Sequence, residues 1–232
     1  MMDYDGFRRA MLGCTADQAA PTWVFSALWE IAEERRDVTA MRHPLGFVCI
    51  PVERTGDQGV CVHVWSDGLP SAKPTTSMIH AHSWDLVSHV LYGSVRNELI
   101  EVTDAPDNPT YRVFEVRSCG DVDEIHRTPR LVRCETTAAE LNRQGDTYSL
   151  RAGDFHVTTV EGEAATVALG TGRPPTMDLS LGGIDTETHR VVRQCCNHDE
   201  TNYAARVVTE RLARNRAYNK EDRWDPWRPL YR

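Results

Sequence analysis

Several sequence features that would assign a function class directly are missing from this chain. No stretch approaches the ~18 consecutive apolar residues of a membrane span, and the opening MMDYDGFRRAML is charged where a secretion signal would be apolar. No Walker motif, GxGxxG or GxSxG sequence occurs. These absences argue against a membrane protein, a secreted protein and a nucleotide-dependent enzyme, and we expect a cytoplasmic protein.

Basic residues are also in deficit. The formal net charge is -8, so the overall field does not favour binding to nucleic acid. The seven cysteines are an odd number and form no CxxC pair, which favours free thiols over a disulfide framework. The 232 residues are 41% hydrophobic, which is enough for a globular protein with a sizeable core.

The dominant pattern is a series of short, β-branched and aromatic runs separated by Gly, Pro, Asp and Asn. The runs begin near Leu45 and end near Cys196, and their near-regular spacing predicts an antiparallel sandwich or barrel. Apolar residues at helical spacing occur before and after them. We therefore predict a mainly β fold with three parts: a helical segment over 1–44, a barrel over 45–196, and a helix with a Pro- and Trp-rich arm over 197–232.

The stretch SMIHAHSWDLVSHVLYGSV places two histidines one residue apart on a predicted strand. Residues i and i+2 of a strand share a face, so His80 and His82 should project together and could hold one metal ion. His156, which follows the AGDF turn at the start of a later strand, is the best candidate for a third ligand. Surface strands also carry histidines, so this pair alone does not establish a metal site.

The same stretch resembles the first motif of the cupins, in which HxH is followed by a Glu and then a Gly. His80, His82 and Gly93 match that spacing, with VLYG ending the strand, and Leu86 stands at the Glu position. The resemblance extends over about Phe47 to Pro175. It implies a double-stranded antiparallel β-barrel, or jelly roll, holding a metal ion on His80, His82 and His156 without a carboxylate.

A three-histidine site without the Glu is similar to that of the thiol dioxygenases, the cysteine and cysteamine dioxygenase group. The segments VHVWSDG and GDFHVTT resemble theirs as well. In cysteine dioxygenases an Arg on an early strand holds the substrate carboxylate, whereas GFVCIPVE offers none before Arg54. The resemblance therefore does not name cysteine as the substrate.

The function expected from this resemblance is a non-haem Fe(II) dioxygenase that oxidises a small substrate with O2, with a thiol as one candidate class. Ni, Zn and Mn are alternative ions. Tyr92 and Tyr148 are candidates for orienting a substrate beside the metal, although packing in the barrel wall is the default for both. The partners expected are a small molecule and O2, with no nucleic acid and no membrane; a homodimer is left open.

Two other functions also stay open. One is a metal-dependent cupin lyase, isomerase or hydrolase without oxygen chemistry, and the other is a non-catalytic ligand-binding cupin.

The sequence also predicts where three further residues lie in the fold. Strand alternation predicts that His89 lies on the outer surface, His63 is read as a core residue or a neighbour of the metal ligands, and Asp85 as a turn cap.

Overall fold

The computed structural model describes residues 4–13, 15–56, 58–172 and 177–222, and the predicted Pro- and Trp-rich arm, residues 223–232, lies outside them. The described chain forms two seven-stranded sheets, in which every pairing is antiparallel, together with three helices. This confirms the predicted mainly β fold with helices before and after the strands. None of these helices is long and apolar enough to cross a bilayer.

The elements follow the order predicted from the sequence, with helices flanking a long run of strands. The helices are α1 (Tyr4–Leu12), α2 (Ala16–Ala32) and α3 (His198–Asp222). The first seven strands are β1 (Met41–His43), β2 (Phe47–Thr55), β3 (Gln58–Trp65), β4 (His80–Ala81), β5 (Trp84–Tyr92), β6 (Ser94–Asp104) and β7 (Tyr111–Cys119). The remaining strands are β8 (Val122–Arg143), β9 (Thr147–Leu150), β10 (His156–Thr159), β11 (Ala164–Gly172), β12 (Asp178–Gly182), β13 (His189–Val192) and β14 (Gln194–Cys195).

Strand order alternates between the two sheets, as in a jelly roll. The first sheet runs β14-β1-β2-β3-β11-β5-β9, and the second runs β13-β8-β6-β10-β4-β12-β7. The chain passes from the second sheet to the first between β4 and β5, within the HxH stretch. The two histidines therefore lie where the sheets are joined.

The two faces of the first sheet differ in burial. On β3, Val60, Val62 and Val64 are at most 1% exposed and pack in a large cluster with the helices. The alternate residues His63 and Trp65 are only half-buried. On β3 the face toward the helices is thus fully buried, whereas the opposite face keeps some accessible surface at His63 and Trp65.

One strand is longer than the sequence pattern predicts. The 22-residue β8 is a single strand over a region that reads as separate short runs. Its first half pairs with β7 and β13 and its second half with β6, so one continuous strand serves three partners. Tertiary pairing therefore overrides the turn-like residues in its sequence.

Gly93 explains the end of the VLYG segment. Its φ is +75°, and a Cβ there would lie 2.2 Å from the carbonyl oxygen of Glu163. Only glycine combines this backbone conformation with such a close approach of a neighbouring strand.

Candidate metal centre

The structure brings His80, His82 and His156 together on the second sheet. His80 and His156 are directly paired across β4 and β10, and His82 lies two residues beyond His80. The three ring centroids are 4.2 to 5.0 Å apart. One ligand atom from each ring lies within 4.8 Å of the others. His82 thus lies just beyond the end of β4, and it converges with His80 of β4 and the distant His156 of β10 on one point.

Backbone carbonyls fix the orientation of two of the rings. Nδ1 of His80 lies 3.0 Å from the oxygen of Met78, and Nδ1 of His156 lies 3.0 Å from the oxygen of Asp154. A carbonyl can only accept, so Nδ1 donates in both rings and Nε2 keeps its lone pair. This is the arrangement by which proteins orient metal-binding imidazoles.

The environment keeps these imidazoles neutral. Desolvation by burial lowers the pKa of His80 to about 3, with the neighbouring His156 contributing further. Burial also lowers the pKa of His156 and, with the charges of the other histidines, lowers the pKa of His82 well below its usual value. Neutral imidazole is the form that binds metal, so the site is ready to ligate at neutral pH without first losing protons.

Two carboxylates brace the loops around the site, and neither belongs to the metal-ligand group found among the described residues. Asp85 accepts a hydrogen bond from the backbone N–H of Ala152 at 3.0 Å, in the turn that precedes His156. Asp178 accepts one from the N–H of Ser83 at 2.6 Å, just after His82. The turn-capping role predicted for Asp85 agrees with this contact.

Leu86, at the position of the cupin Glu, is 6% exposed and packs with Tyr148 and Leu150. Trp84, two residues earlier on the same face of β5, packs against this cluster, and its ring centroid lies 4.3 Å from that of His82. Gly170 makes room for that ring, because a Cβ there would lie 2.8 Å from it. Leu86 is thus a buried apolar residue in a cluster that Trp84 connects to His82.

The sequence reasoning missed a row of rings on the inner face of the first sheet, which we call the aromatic wall: His43, Phe47, His63 and Trp65. Phe47 stacks on His43 at 4.3 Å between centroids, and lies 4.4 Å from His63 and 4.9 Å from Trp65. Alternation along β3 placed His63 and Trp65 on one face, but nothing in the sequence indicated His43.

The aromatic wall is electrostatically coupled to the metal-site histidines. Burial lowers the pKa of His43 to about 4 and that of His63 to about 3. Positive charge on His43 would lower the pKa of both His80 and His82, and charge on His63 would lower that of His82. The wall therefore lies within electrostatic range of the metal-site histidines.

The two tyrosines named as candidates for orienting a substrate, with packing in the barrel wall as the default, occupy different environments. Tyr148 lies in the inner cluster with Leu86; burial raises its pKa, and hydrogen bonding with Ser88 and Asn97 partly offsets that rise. Tyr92 packs in the helix-side cluster, where Arg211 of α3 lies 5.7 Å from its ring centroid. The structure does not bring Tyr92 together with the metal-site histidines.

The prediction that His89 lies on the outer surface is wrong, because this residue is 1% exposed. Its Nδ1 lies 2.9 Å from Oγ1 of Thr147, and burial lowers its pKa. Alternation correctly placed it on the face opposite Leu86, but that face is covered by helices that the strand pattern could not place.

Comparison with known proteins leaves the family open. No family model and no curated protein matches the chain. Among solved structures, a cupin-2 domain protein from Shewanella frigidimarina is similar at 10% identity, over 54% of this chain and 79% of that one, with a TM-score of 0.30. A hydroquinone 1,2-dioxygenase from Sphingomonas sp. TTNP3 is similar at 14% identity, over 65% and 75%, with a TM-score of 0.37.

A hydroxypropylphosphonic acid epoxidase from S. wedmorenis is similar at 12% identity, over 57% of this chain and 55% of that one, with a TM-score of 0.33. Likenesses this distant carry no information about chemistry. The reaction has to be argued from the residues of the site.

Proposed function

We propose that this protein is a non-haem, iron(II)-dependent dioxygenase that oxidises a small substrate with O2 at His80, His82 and His156. The observation that carries the proposal is the convergence of three neutral imidazoles in a group that contains no carboxylate. Imidazole is a suitable ligand for iron, zinc, copper and nickel. The donor set therefore fits a divalent transition metal, and Ni, Zn or Mn are the alternatives to iron.

Three neutral ligands leave the charge of a divalent ion uncompensated. An anionic group on the substrate, such as a thiolate, would supply the missing negative charge, which favours binding of substrate and ion together. A bound ferrous ion would supply the redox chemistry and the coordination positions needed to use O2. The chain supplies the rest: the carbonyls of Met78 and Asp154 hold the ring tautomers, and Leu86 keeps the place of a fourth ligand apolar.

The first test is metal content of protein purified without a polyhistidine tag, followed by oxygen uptake with a panel of thiols and other small substrates. We expect about one iron per chain and substrate-dependent oxygen uptake. The variant His82→Ala should lose most of the metal and the activity. The control is His189→Ala, which removes a half-buried histidine of the edge strand β13 that is hydrogen-bonded to Thr75. This variant should keep both the metal and the activity.

Full metal occupancy in His82→Ala would place the ion elsewhere and overturn the site assignment. Conversion of a substrate without oxygen uptake would overturn the dioxygenase reaction and favour a metal-dependent lyase or isomerase. A metal-loaded protein that binds but converts none of the panel would favour a non-catalytic ligand-binding role.

A further inference from the structure

Two cysteine side chains meet on the inner face of the first sheet, next to the aromatic wall. Cys49 of β2 is paired with His63 of β3, and Cys61 of β3 is paired with Pro51 of β2. The two cysteines are therefore diagonal neighbours on one face of a strand pair. Neither is in a disulfide, and the two thiols are hydrogen-bonded to each other. This pair of nucleophiles has no part in the proposed reaction.

The two thiols differ in accessibility and in acidity. Cys49 is 6% exposed, whereas Cys61 keeps more accessible surface. The hydrogen bond donated by Cys49 lowers the pKa of Cys61; burial opposes this, and the positive charge of Arg54 adds to it. The same hydrogen bond, together with burial, raises the pKa of Cys49 well above its usual value. Cys61 is thus the thiol that ionises and that solvent reaches, and Cys49 is its buried partner.

This asymmetry suits the stepwise oxidation of a dithiol. A thiolate attacks hydrogen peroxide and breaks its O–O bond, so that one oxygen stays on sulfur as a sulfenic acid and the other leaves as water. The second thiol then attacks the sulfenic sulfur, which forms the S–S bond, breaks the S–O bond and releases water that carries the thiol proton. In sum, two thiols lose two electrons and two protons, and one peroxide becomes two water molecules.

A bond between the two sulfurs requires β2 and β3 to shift. A disulfide holds its Cβ atoms about 3.5–4.5 Å apart, which is closer than diagonal neighbours normally lie. The register of the two strands is interrupted by a bulge between Pro51 and Glu53, beside the residue paired with Cys61. A bulge disrupts the ladder locally and bends the strand. A disulfide formed here would be strained, and strained disulfides are the more readily reduced ones.

We propose that Cys49 and Cys61 are a site of reversible oxidation, at which hydrogen peroxide converts the two thiols to a disulfide. Cys61 is the attacking thiol, and Cys49 is the thiol that resolves the sulfenic acid. The proposal goes beyond the proposed function and does not depend on it, because neither cysteine belongs to the metal-ligand group found in the described part of the chain.

The test uses zinc-loaded protein, because zinc has no redox chemistry and no reaction of peroxide with iron competes. After brief treatment with hydrogen peroxide, the remaining thiols are blocked with iodoacetamide, and the protein is digested with trypsin without reduction. Trypsin cuts after Arg54, which lies between the two cysteines, so a disulfide between Cys49 and Cys61 appears in mass spectrometry as two joined peptides. We expect this joined pair as the main disulfide within one chain, and we expect dithiothreitol to separate it.

Two variants test the separate roles of the thiols. Cys49→Ser should leave Cys61 as a sulfenic acid that dimedone traps, because no resolving thiol remains. Cys61→Ser should give no dimedone adduct at Cys49, which is buried. The matched control is Cys119→Ser, which removes an exposed thiol of β7 on the other sheet and should keep the joined peptides.

Cys134 is an internal control for reactivity, since it is half-buried like Cys61 but burial raises its pKa. We expect iodoacetamide to alkylate Cys61 in the untreated parent at least about 3-fold faster than Cys134 at neutral pH. A tenfold larger fraction of thiolate is partly offset by the lower nucleophilicity of a more acidic thiol. This measurement and the peptide mapping both use the parent, so they stand even if a serine variant fails to fold.

Peroxide treatment that oxidises Cys119 or Cys195 and joins no peptides through Cys49 and Cys61 would overturn the proposal. Loss of the joined peptides in Cys119→Ser would do the same, because the bond would then arise by exchange with an exposed thiol. These outcomes are separate from the proposed reaction. A disulfide in a protein that takes up no oxygen with any substrate would refute the dioxygenase and leave the oxidation site standing, and oxygen uptake without a disulfide would do the reverse.

Discussion

Replacing Leu86 by glutamate tests whether the metal-ligand group is open at the position where a fourth ligand would lie. Leu86 is 6% exposed and packs with Tyr148 and Leu150 on the inner face of β5. In the metal-free protein the variant loses the burial of the leucine side chain, worth about 1.5–3 kcal/mol. It also places a carboxyl group in an apolar cluster, where desolvation raises its pKa. The metal-free variant should therefore be less stable than the parent.

A bound divalent ion reverses this effect. A divalent ion and a carboxylate about 4 Å apart attract by about 8 kcal/mol at an effective dielectric constant of about 20, twice the value for two unit charges. That attraction exceeds the free energy lost with the burial of the leucine side chain, so metal should stabilise Leu86→Glu more than it stabilises the parent. The same fixed carboxylate competes with an anionic substrate for the ion, so turnover should fall although metal binding is kept or strengthened.

The assay is the thermal midpoint with and without Fe(II) or Zn(II) under anaerobic conditions, together with metal content and oxygen uptake. Leu86→Gln is the matched control, since it has nearly the same shape without the charge. An equal metal-induced shift in the Glu and Gln variants would show that position 86 does not face the ion. Undiminished turnover in the fully metal-loaded Glu variant would remove the support for an open coordination position.

Three further predictions concern stability. Gly93→Ala should destabilise the fold by several kcal/mol, because the new Cβ would lie 2.2 Å from a backbone oxygen. The control Gly120→Ala, also at positive φ but with nothing within 4 Å of the new Cβ, should cost much less. Equal urea midpoints for the two variants would contradict this prediction. In the metal-free protein, burial lowers the pKa of His63 and of His80 to about 3, so below about pH 6.5 only the unfolded chain gains these protons. The free energy of unfolding should then fall by about 1.4 kcal/mol per pH unit for each residue between about pH 6 and pH 4, and a flat profile in urea titrations would refute the burial. Asn197→Ala removes the side-chain oxygen that accepts a hydrogen bond from the backbone N–H of Glu200 in the first turn of α3, and it should lower the free energy of unfolding by about 1 kcal/mol. An unchanged urea midpoint would show that this cap does not stabilise the helix.

Local periodicity was sufficient for the fold class. Period-2 runs bounded by turn residues predicted the antiparallel sheets, and helical spacing predicted the flanking helices, because both patterns reflect which side chains share a face. The same rule placed His80 and His82 together. Pairing His156 with them depended on the resemblance to cupins and on the turn before His156, since the distance along the chain says nothing about strand register.

Tertiary structure decided what each face of a strand meets. Strand alternation placed His89 on the face opposite Leu86 but could not show that helices cover that face. It also could not predict the contact between Tyr92 and Arg211 of α3. The aromatic wall likewise exists only in three dimensions, because His43 reaches Phe47 across β1 and β2. Sequence determines which residues point the same way, whereas burial, pKa and neighbours follow from the sheet or helix packed against them.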